Sequence, residues 1–329
     1  MKQIVIKGLG FSVPERILTN QDLEKIVETS DDWIVSRSGI RTRHVVSEGE
    51  TLTDLTYGSA MQALDDAGMQ AQDITHILVA TFSPESFIPS AACVLQDRLG
   101  LKGLVAMDLS AACSGFLYAL ETGRALLALH PDAKILICSG DVTTSRVNWE
   151  DRSTCVLFGD GCGAAILAMD DGGPKKAVLQ DVLLASDGSI GDLLTVRGGG
   201  SGATYKLGEA IREDFFVQMK GREVFRYAVR AMCDISKALL ERHGLSTSEV
   251  DVLLPHQANL RIIEAVGKKL GIPGERVFIN VEKYGNTSAA SVPIALAEAA
   301  QQGFIQPGQR MLITSFGGGF TWGAGLLAF

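Results

Sequence analysis

The chain lacks most of what marks a secreted, membrane-spanning or nucleic-acid-binding protein. It has 6 cysteines in 329 residues and no CxxC pair. Cys93, Cys113, Cys138, Cys155, Cys162 and Cys233 sit mostly inside apolar runs. That pattern favours reduced thiols in a cytoplasmic protein over a disulfide framework or a zinc site. The opening stretch MKQIVIKGLGFSVP has no apolar h-region or cleavage site, so no secretory signal is expected. No uninterrupted apolar run reaches the length of a membrane span. Positive charge is short as well: 30 Lys and Arg against 38 Asp and Glu leave a net charge of −8. A global attraction for nucleic acid or an anionic membrane is therefore not expected, and only a local basic patch could serve such a role.

What remains is the composition of a soluble α/β protein, with 46% hydrophobic, 21% charged and 6% aromatic residues. The length suits one large domain or two fused ones.

The second possibility leaves a trace, because the chain repeats itself. At a shift of 176, AGMQAQDITHILVA (67–80) falls on HGLSTSEVDVLLPH (243–256), YAL (118–120) on IAL (294–296), and KILICSG (134–140) on RMLITSF (310–316). GAAILAM (163–169) then matches GAGLLAF (323–329) at a shift of 160, which assigns the first half an extra segment near 141–156. The seam lies near DDGGPKK (170–176), giving halves 1–172 and 173–329.

Strands are expected at 75–81, 103–109 and 134–139, then at 251–255, 276–280 and 310–315. Helices are expected at 52–66, 88–98 and 114–128, then at 222–241, 258–270 and 288–301. This alternation argues for mainly parallel, buried sheets. The helix from Ser114 to Ala128 is apolar on nearly every side except near Glu121 and Arg124, so it is expected between layers. RGGGSG (197–202) with the following ATYKLGEAIREDFF reads as a surface excursion.

Sites in α/β sheets form beyond the C-terminal ends of strands. Three polar residues fall at such points. Cys113, in DLSAACSGFLYAL, starts a helix, where orphan N–H groups and the positive end of the dipole favour a thiolate. Its small neighbours Ala112 and Gly115 leave room for a substrate; the alternative is a sixth core cysteine beside the five others. His256 alone among five histidines follows directly from a buried strand and precedes a helix, although it could simply cap that helix. Asn286 lies in GNTSAAS, which also reads as an ordinary turn and N-cap. The repeat links them. Asn286 falls on Ser110, three residues before Cys113, and His256 falls on Ala80. A pseudo-twofold relation between halves would let the three side chains converge as a nucleophile with hydrogen-bonding partners. The glycines of SFGGGFTWGAG (315–325) would let backbone approach a ligand closely and offer an N–H to an oxyanion.

The segments AACSGF, PHQANLRII, GNTSAAS and FGGGFTWG, with TSDDWIVSRSGIRTRH (29–44) and FGDGCGAA (158–165), resemble β-ketoacyl-acyl carrier protein synthase III of the thiolase superfamily. The resemblance runs nearly end to end. It implies an α/β fold of the thiolase-like kind, a duplicated five-layer αβαβα sandwich. It also implies an acyl-CoA primer, acetyl-CoA by preference, transferred to Cys113, with the backbone N–H groups of Cys113 and Gly318 holding the oxyanion. Malonyl on acyl carrier protein would follow, His256 and Asn286 stabilising the enolate formed as CO2 leaves. No metal and no cofactor is implied, since acyl-CoA is a substrate. Trp33, Arg37 and Arg152 fall on positions that hold the CoA adenine and phosphates, and Asn259 on one that contacts pantetheine. Ile88 and Phe316 are expected at the acyl pocket. Arg261, Lys268 and Lys269, at i, i+7 and i+8 of one helix, share a basic face suited to an acidic carrier protein. A cytoplasmic homodimer is implied.

The chain departs from the pattern in three places. Arg222 replaces an Asn, Ile88 stands where a Phe from the partner subunit often walls the acyl pocket, and the Gly-rich segment 197–210 is longer. A starter synthase of polyketide or quinolone type shares the Cys-His-Asn set and is the main alternative. Elongating synthases would need a second His at Asn286, and biosynthetic thiolases a Cys beyond position 233.

Overall fold

A computed structural model describes residues 2–329. Nine strands form the main sheet: β1 (Ile4–Ser12), β2 (His76–Ala80), β3 (Val105–Leu109), β4 (Lys134–Asp141), β5 (Gly161–Met169), β6 (Ala177–Ser186), β7 (Val252–Pro255), β8 (Arg310–Gly317) and β9 (Thr321–Ala328). Seven longer helices accompany them: α1 (Asp31–Ser38), α2 (Leu52–Ala67), α3 (Ala91–Arg98), α4 (Gly115–Leu129), α5 (Gly221–Arg242), α6 (Leu260–Leu270) and α7 (Ser291–Gln301).

The strands run in the order β7-β8-β9-β6-β1-β5-β4-β2-β3. The order is nearly palindromic. In the first half β3, β2 and β4 are parallel, and β5 and β1 follow antiparallel. In the second, β7 and β8 are parallel, and β9 and β6 follow antiparallel. Only Ile4, Val5 and Ile6 of β1 pair with β6, so the halves meet through a short seam. The expected mainly parallel sheet is thus corrected to a mixed one. The periodicity found the parallel strands, whereas β1, β5, β6 and β9 carry the antiparallel pairs. The expected strand at 276–280 is also absent: a single parallel bridge from Val277 to Leu253 stands in its place.

Helices fill three further layers. α2 covers the outer face of β1, β4 and β5, and α5 covers that of β6, β8 and β9. Between the two halves of the sheet lie α4, which touches β2, β4, β5, β6, β8 and β9, and α7, which touches β1, β5 and β7. Only a helix apolar all round can occupy such a layer. The polar exception on α4 is neutralised in place: Arg124 pairs with Glu121 at 2.7 Å and with buried Asp181 at 3.0 Å. His243, at the end of α5, meets the same carboxylate through Nε2 at 2.9 Å. Segment 197–210 is largely exposed turns, as expected. Cys93 is exposed on α3, unlike the four other cysteines read as core residues.

Candidate active site

Cys113 lies where β3 gives way to α4. Ala112, just before it, has φ +44°, a left-handed backbone rarely adopted by a residue with a side chain. The kink lets the chain leave the strand and enter the helix within a few residues. It places the thiol one turn before the long helix, buried at 7% exposure. The Cys113 carbonyl accepts the Ser315 hydroxyl at 2.7 Å, and the Ser114 hydroxyl donates to the Thr321 carbonyl at 2.9 Å. The second half therefore fixes the nucleophile loop of the first.

His256 follows β7, and its N–H donates to the Thr314 carbonyl of β8 at 2.8 Å. Gln257 braces the turn with four bonds. Its Nε2 donates to the Pro255 and Phe278 carbonyls, and its Oε1 accepts from the Asn280 and Val281 N–H groups. His256 Nδ1 is hydrogen-bonded to the Ser291 hydroxyl at the start of α7. Asn286 bridges to Phe158, and its Oδ1 accepts the Ser288 N–H at 2.9 Å. Its amide NH2 remains for a ligand. Ser288 has φ +52°, so strained backbone occurs in both halves of the site.

Cys113, His256 and Asn286 line one cavity of about 160 Å³, together with Phe316 and Asn259. A second cavity, about 190 Å³, begins at Cys113 and is walled by Phe82, Thr143, Leu194, Val217 and Gly318. Cys113, Phe158 and Leu194 are common to both. The Cys113 thiol donates to the Ser288 hydroxyl at 3.6 Å. Burial pushes that thiol up to about 12, with the charge of Asp141 adding to the effect. This runs against the thiolate expected at a helix start. Burial also pushes His256 down to about 3, so its imidazole is neutral at physiological pH. Asp141 is completely buried and raised by desolvation. It accepts from Thr81, Ser83, the Phe82 N–H and the Ala289 N–H.

The outer residues divide. Arg152 stacks on Trp33 with its guanidinium carbon 4.8 Å from the ring centroid, and it donates to the Glu28 carbonyl. Arg37 is exposed, and its carbonyl accepts from Asn259 Nδ2 at 3.0 Å. Asn259 Oδ1 caps α6 by accepting the Arg261 N–H, so this side chain has a structural duty besides lining the cavity. Arg261, Lys268 and Lys269 are exposed on α6. Arg222 is exposed at the start of α5. Ile88 lines neither cavity and is 89% exposed, and Phe316 lines the cavity of His256 rather than the one behind Cys113. Sequence reasoning missed Ser288, Ser291 and Asp141, and it missed the wall formed by Leu194 and Val217. The two serines stand inside the quoted GNTSAAS, where only the Asn drew attention.

The layered duplicated sheet, with a thiol at its centre and two cavities meeting there, has the architecture of the thiolase-like condensing class. Residues 107–188 match the 3-oxoacyl-[acyl-carrier-protein (ACP)] synthase III family, and residues 240–329 match its C-terminal part. The chain is 55% identical over 322 residues to the beta-ketoacyl-[acyl-carrier-protein] synthase III of Oleidesulfovibrio alaskensis, covering 98% of each. The crystal structure of 3-oxoacyl-[acyl-carrier-protein] synthase III from Aquifex aeolicus superposes with a TM-score of 0.89 at 42% identity, over 99% of this chain and 100% of that one. The priming β-ketosynthase of the R1128 polyketide pathway gives a TM-score of 0.88 at 28% identity, over 99% of this chain and 96% of that one. The chain belongs to the β-ketoacyl-[acyl-carrier-protein] synthase III family.

Proposed function

We propose that the protein condenses an acyl-CoA primer with malonyl-acyl carrier protein through an acyl-Cys113 intermediate, opening fatty acid synthesis. The observation that carries this reading is the shared lining of one cavity by Cys113, His256 and Asn286, two of them from the second half of the chain. The first step moves the acyl group from CoA sulfur to Cys113 sulfur, and the thiol proton ends on CoA. The N–H groups of Cys113 and Gly318, whose residues both line the rear cavity, hold the oxyanion. In the second step the C–CO2 bond of malonyl breaks and its electron pair becomes an enolate. Neutral His256 and the Asn286 amide donate to the enolate oxygen, and no general base is needed. The carbanion attacks the Cys113 thioester, and 3-oxoacyl-acyl carrier protein forms. The Cys113 thiolate leaves and takes a proton from solvent, as a thiol of such raised pKa must.

The CoA adenine lies at Trp33 and Arg152, with Arg37 toward the phosphates and Asn259 along the pantetheine arm. The stacking of Arg152 on Trp33 supports a flat aromatic guest there. No resident metal or cofactor enters the scheme. Halves 1–172 and 173–329 are the duplicated units, which the strand order supports. The working form is a cytoplasmic homodimer. Phe87 and Ile88 are 80% and 89% exposed, which suits insertion of Ile88 into the partner's acyl pocket. Primary fatty acid synthesis is favoured over a polyketide starter role by 55% identity against 28%.

The test is mass spectrometry with a panel of acyl-CoAs. Wild type gains the acyl mass on Cys113, and Cys113→Ala does not; a retained shift in that variant refutes the nucleophile. His256→Ala and Asn286→Ala keep the shift yet stop release of labelled CO2 from malonyl-acyl carrier protein. Wild-type release in both variants refutes the enolate role.

A further inference from the structure

We propose that Ser291 is a positioning residue that fixes the tautomer of His256, holding the ring proton on Nε2. This rests on the reading of His256 as an enolate donor, and it assigns the means by which a neutral imidazole presents a donor rather than a lone pair.

The argument starts from hydrogen-bond directions. A neutral imidazole has one N–H and one bare nitrogen, and the bond made by one nitrogen decides the role of the other. His256 Nδ1 meets the Ser291 hydroxyl, and both residues are buried, at 3% and 2% exposure. The Gln257 N–H also points at Ser291 Oγ, at 3.3 Å. The Ser291 oxygen thus already accepts a hydrogen from the backbone. Its own hydrogen is free to be donated, and the nearest acceptor is Nδ1. If Nδ1 carried the ring proton instead, the serine oxygen would receive two donors and its own hydrogen would lose this partner. With Nδ1 bare and the proton on Nε2, the serine oxygen accepts from Gln257 and its own hydrogen meets a buried acceptor, so every one of these groups is paired.

The surroundings act the same way. Ser291 is the first residue of α7, and the positive end of a helix close by disfavours a charged ring. The ring's other face lines the cavity shared with Cys113 and Asn286. The Gln257 clamp and the His256 N–H to Thr314 bond hold the backbone, leaving Ser291 as the group that sets the side chain. Asn286 is handled in parallel. The Ser288 N–H takes its Oδ1, and its NH2 is left to donate. Each of the two donors is thus oriented by a residue of the segment from Ser288 to Ser291.

The experiment uses the full chain with 15N-labelled histidine. The His256 resonances are assigned by their loss in His256→Gln. The expected spectrum has a protonated Nε2 and a bare, hydrogen-bonded Nδ1, and in Ser291→Ala the hydrogen-bond displacement of Nδ1 disappears. A protonated Nδ1 in wild type overturns the proposal, and this reading does not depend on Ser291→Ala folding. Acetyl transfer to Cys113 reports that Ser291→Ala has an intact first step. Release of CO2 from malonyl-acyl carrier protein should then fall about 10-fold to 100-fold, in kcat more than KM; full loss of an oxyanion donor costs about 100-fold to 1,000-fold. Release within twofold of wild type rejects the positioning role. If His256→Ala itself releases CO2 normally, the donor reading fails instead, so the two failures are distinguishable.

Discussion

Gly317, at the end of β8, is pressed against the peptide nitrogen of Cys113: a Cβ added there would stand 2.7 Å from that nitrogen and 2.9 Å from that of Ser114. The contact is between backbones of opposite halves, so neither side can yield by turning a side chain. The nitrogen in question is one of the two assigned to the oxyanion. Gly317→Ala should therefore push the nucleophile loop off its geometry as well as strain the packing, at about 1–3 kcal/mol for an overpacked core site. The expected outcome is a lower melting temperature and an acylation rate reduced more than tenfold, with CoA affinity little changed. Acylation at the wild-type rate in a stable Gly317→Ala protein would show that the Cys113 amide does not serve the oxyanion.

Reactivity of the thiol follows from which influence on it prevails. The start of α4 favours a thiolate, but burial and the charge of Asp141 hold Cys113 up near 12. A thiol ionising so high is almost wholly protonated at neutral pH. Alkylation of the empty enzyme by iodoacetamide should then rise about tenfold per pH unit from 6 to 9 without levelling. A plateau below pH 8 would mean that the helix start prevails. Acyl-CoA should protect against alkylation, since acylation consumes the same sulfur.

The contrast shows how far the letters reach. The apolar periodicity revealed the parallel strands around β2, β4, β7 and β8, because their neighbours are helices with a different period. The same reading passed over β1 and β6. Their apolar runs abut turns rather than an alternating pattern, and their pairing is fixed by partners far along the chain, such as Met169 for Ile4. Cys113, His256 and Asn286 drew attention through the repeat and through AACSGF, PHQANLRII and GNTSAAS, and all three line one cavity. Ser291 and Asp141 did not, because a serine at a helix start and an aspartate after a strand have ordinary structural uses. Only contacts across the fold, Ser291 to His256 and Asp141 to Ala289, distinguish them. Burial of Cys113 was hidden for a related reason: the helix start is visible in sequence, whereas the depth of burial depends on the second half closing over it.

Burial of His256 has a consequence for acid stability. Its folded-state value of about 3 lies below the ordinary 6.5, so the unfolded chain binds a proton that the folded one rejects. The stability owed to the neutral ring is complete above pH 6.5 and is lost as pH falls toward 3. Replacing the ring with an uncharged group removes this dependence. His256→Gln should show a shallower decline of melting temperature between pH 6.5 and 4 than wild type, whatever its stability at pH 8. Parallel declines would mean that the imidazole already takes up a proton in the folded protein. The same depressed value predicts that CO2 release has no acid limb from His256 between pH 5 and 7.

Arg261 stands at the base of α6, two residues from Asn259, which lines the catalytic cavity. Lys268 and Lys269 lie two turns further along the same exposed face. A protein of net charge −8 would repel an acidic carrier unless such a face received it. Small acyl-CoA substrates need the cavity but not the whole face. Arg261→Glu should raise KM for malonyl-acyl carrier protein at least about tenfold, reflecting a repulsive charge where an attractive one stood. The effect on acylation by acetyl-CoA should be several times smaller. The wild-type KM for the carrier should rise with salt, because exposed charges are screened over about 8–10 Å at 0.1–0.15 M. Part of that salt dependence should disappear in the variant. Equal losses with both substrates would place Arg261 at the CoA mouth instead, and no loss with either would leave α6 outside the docking surface.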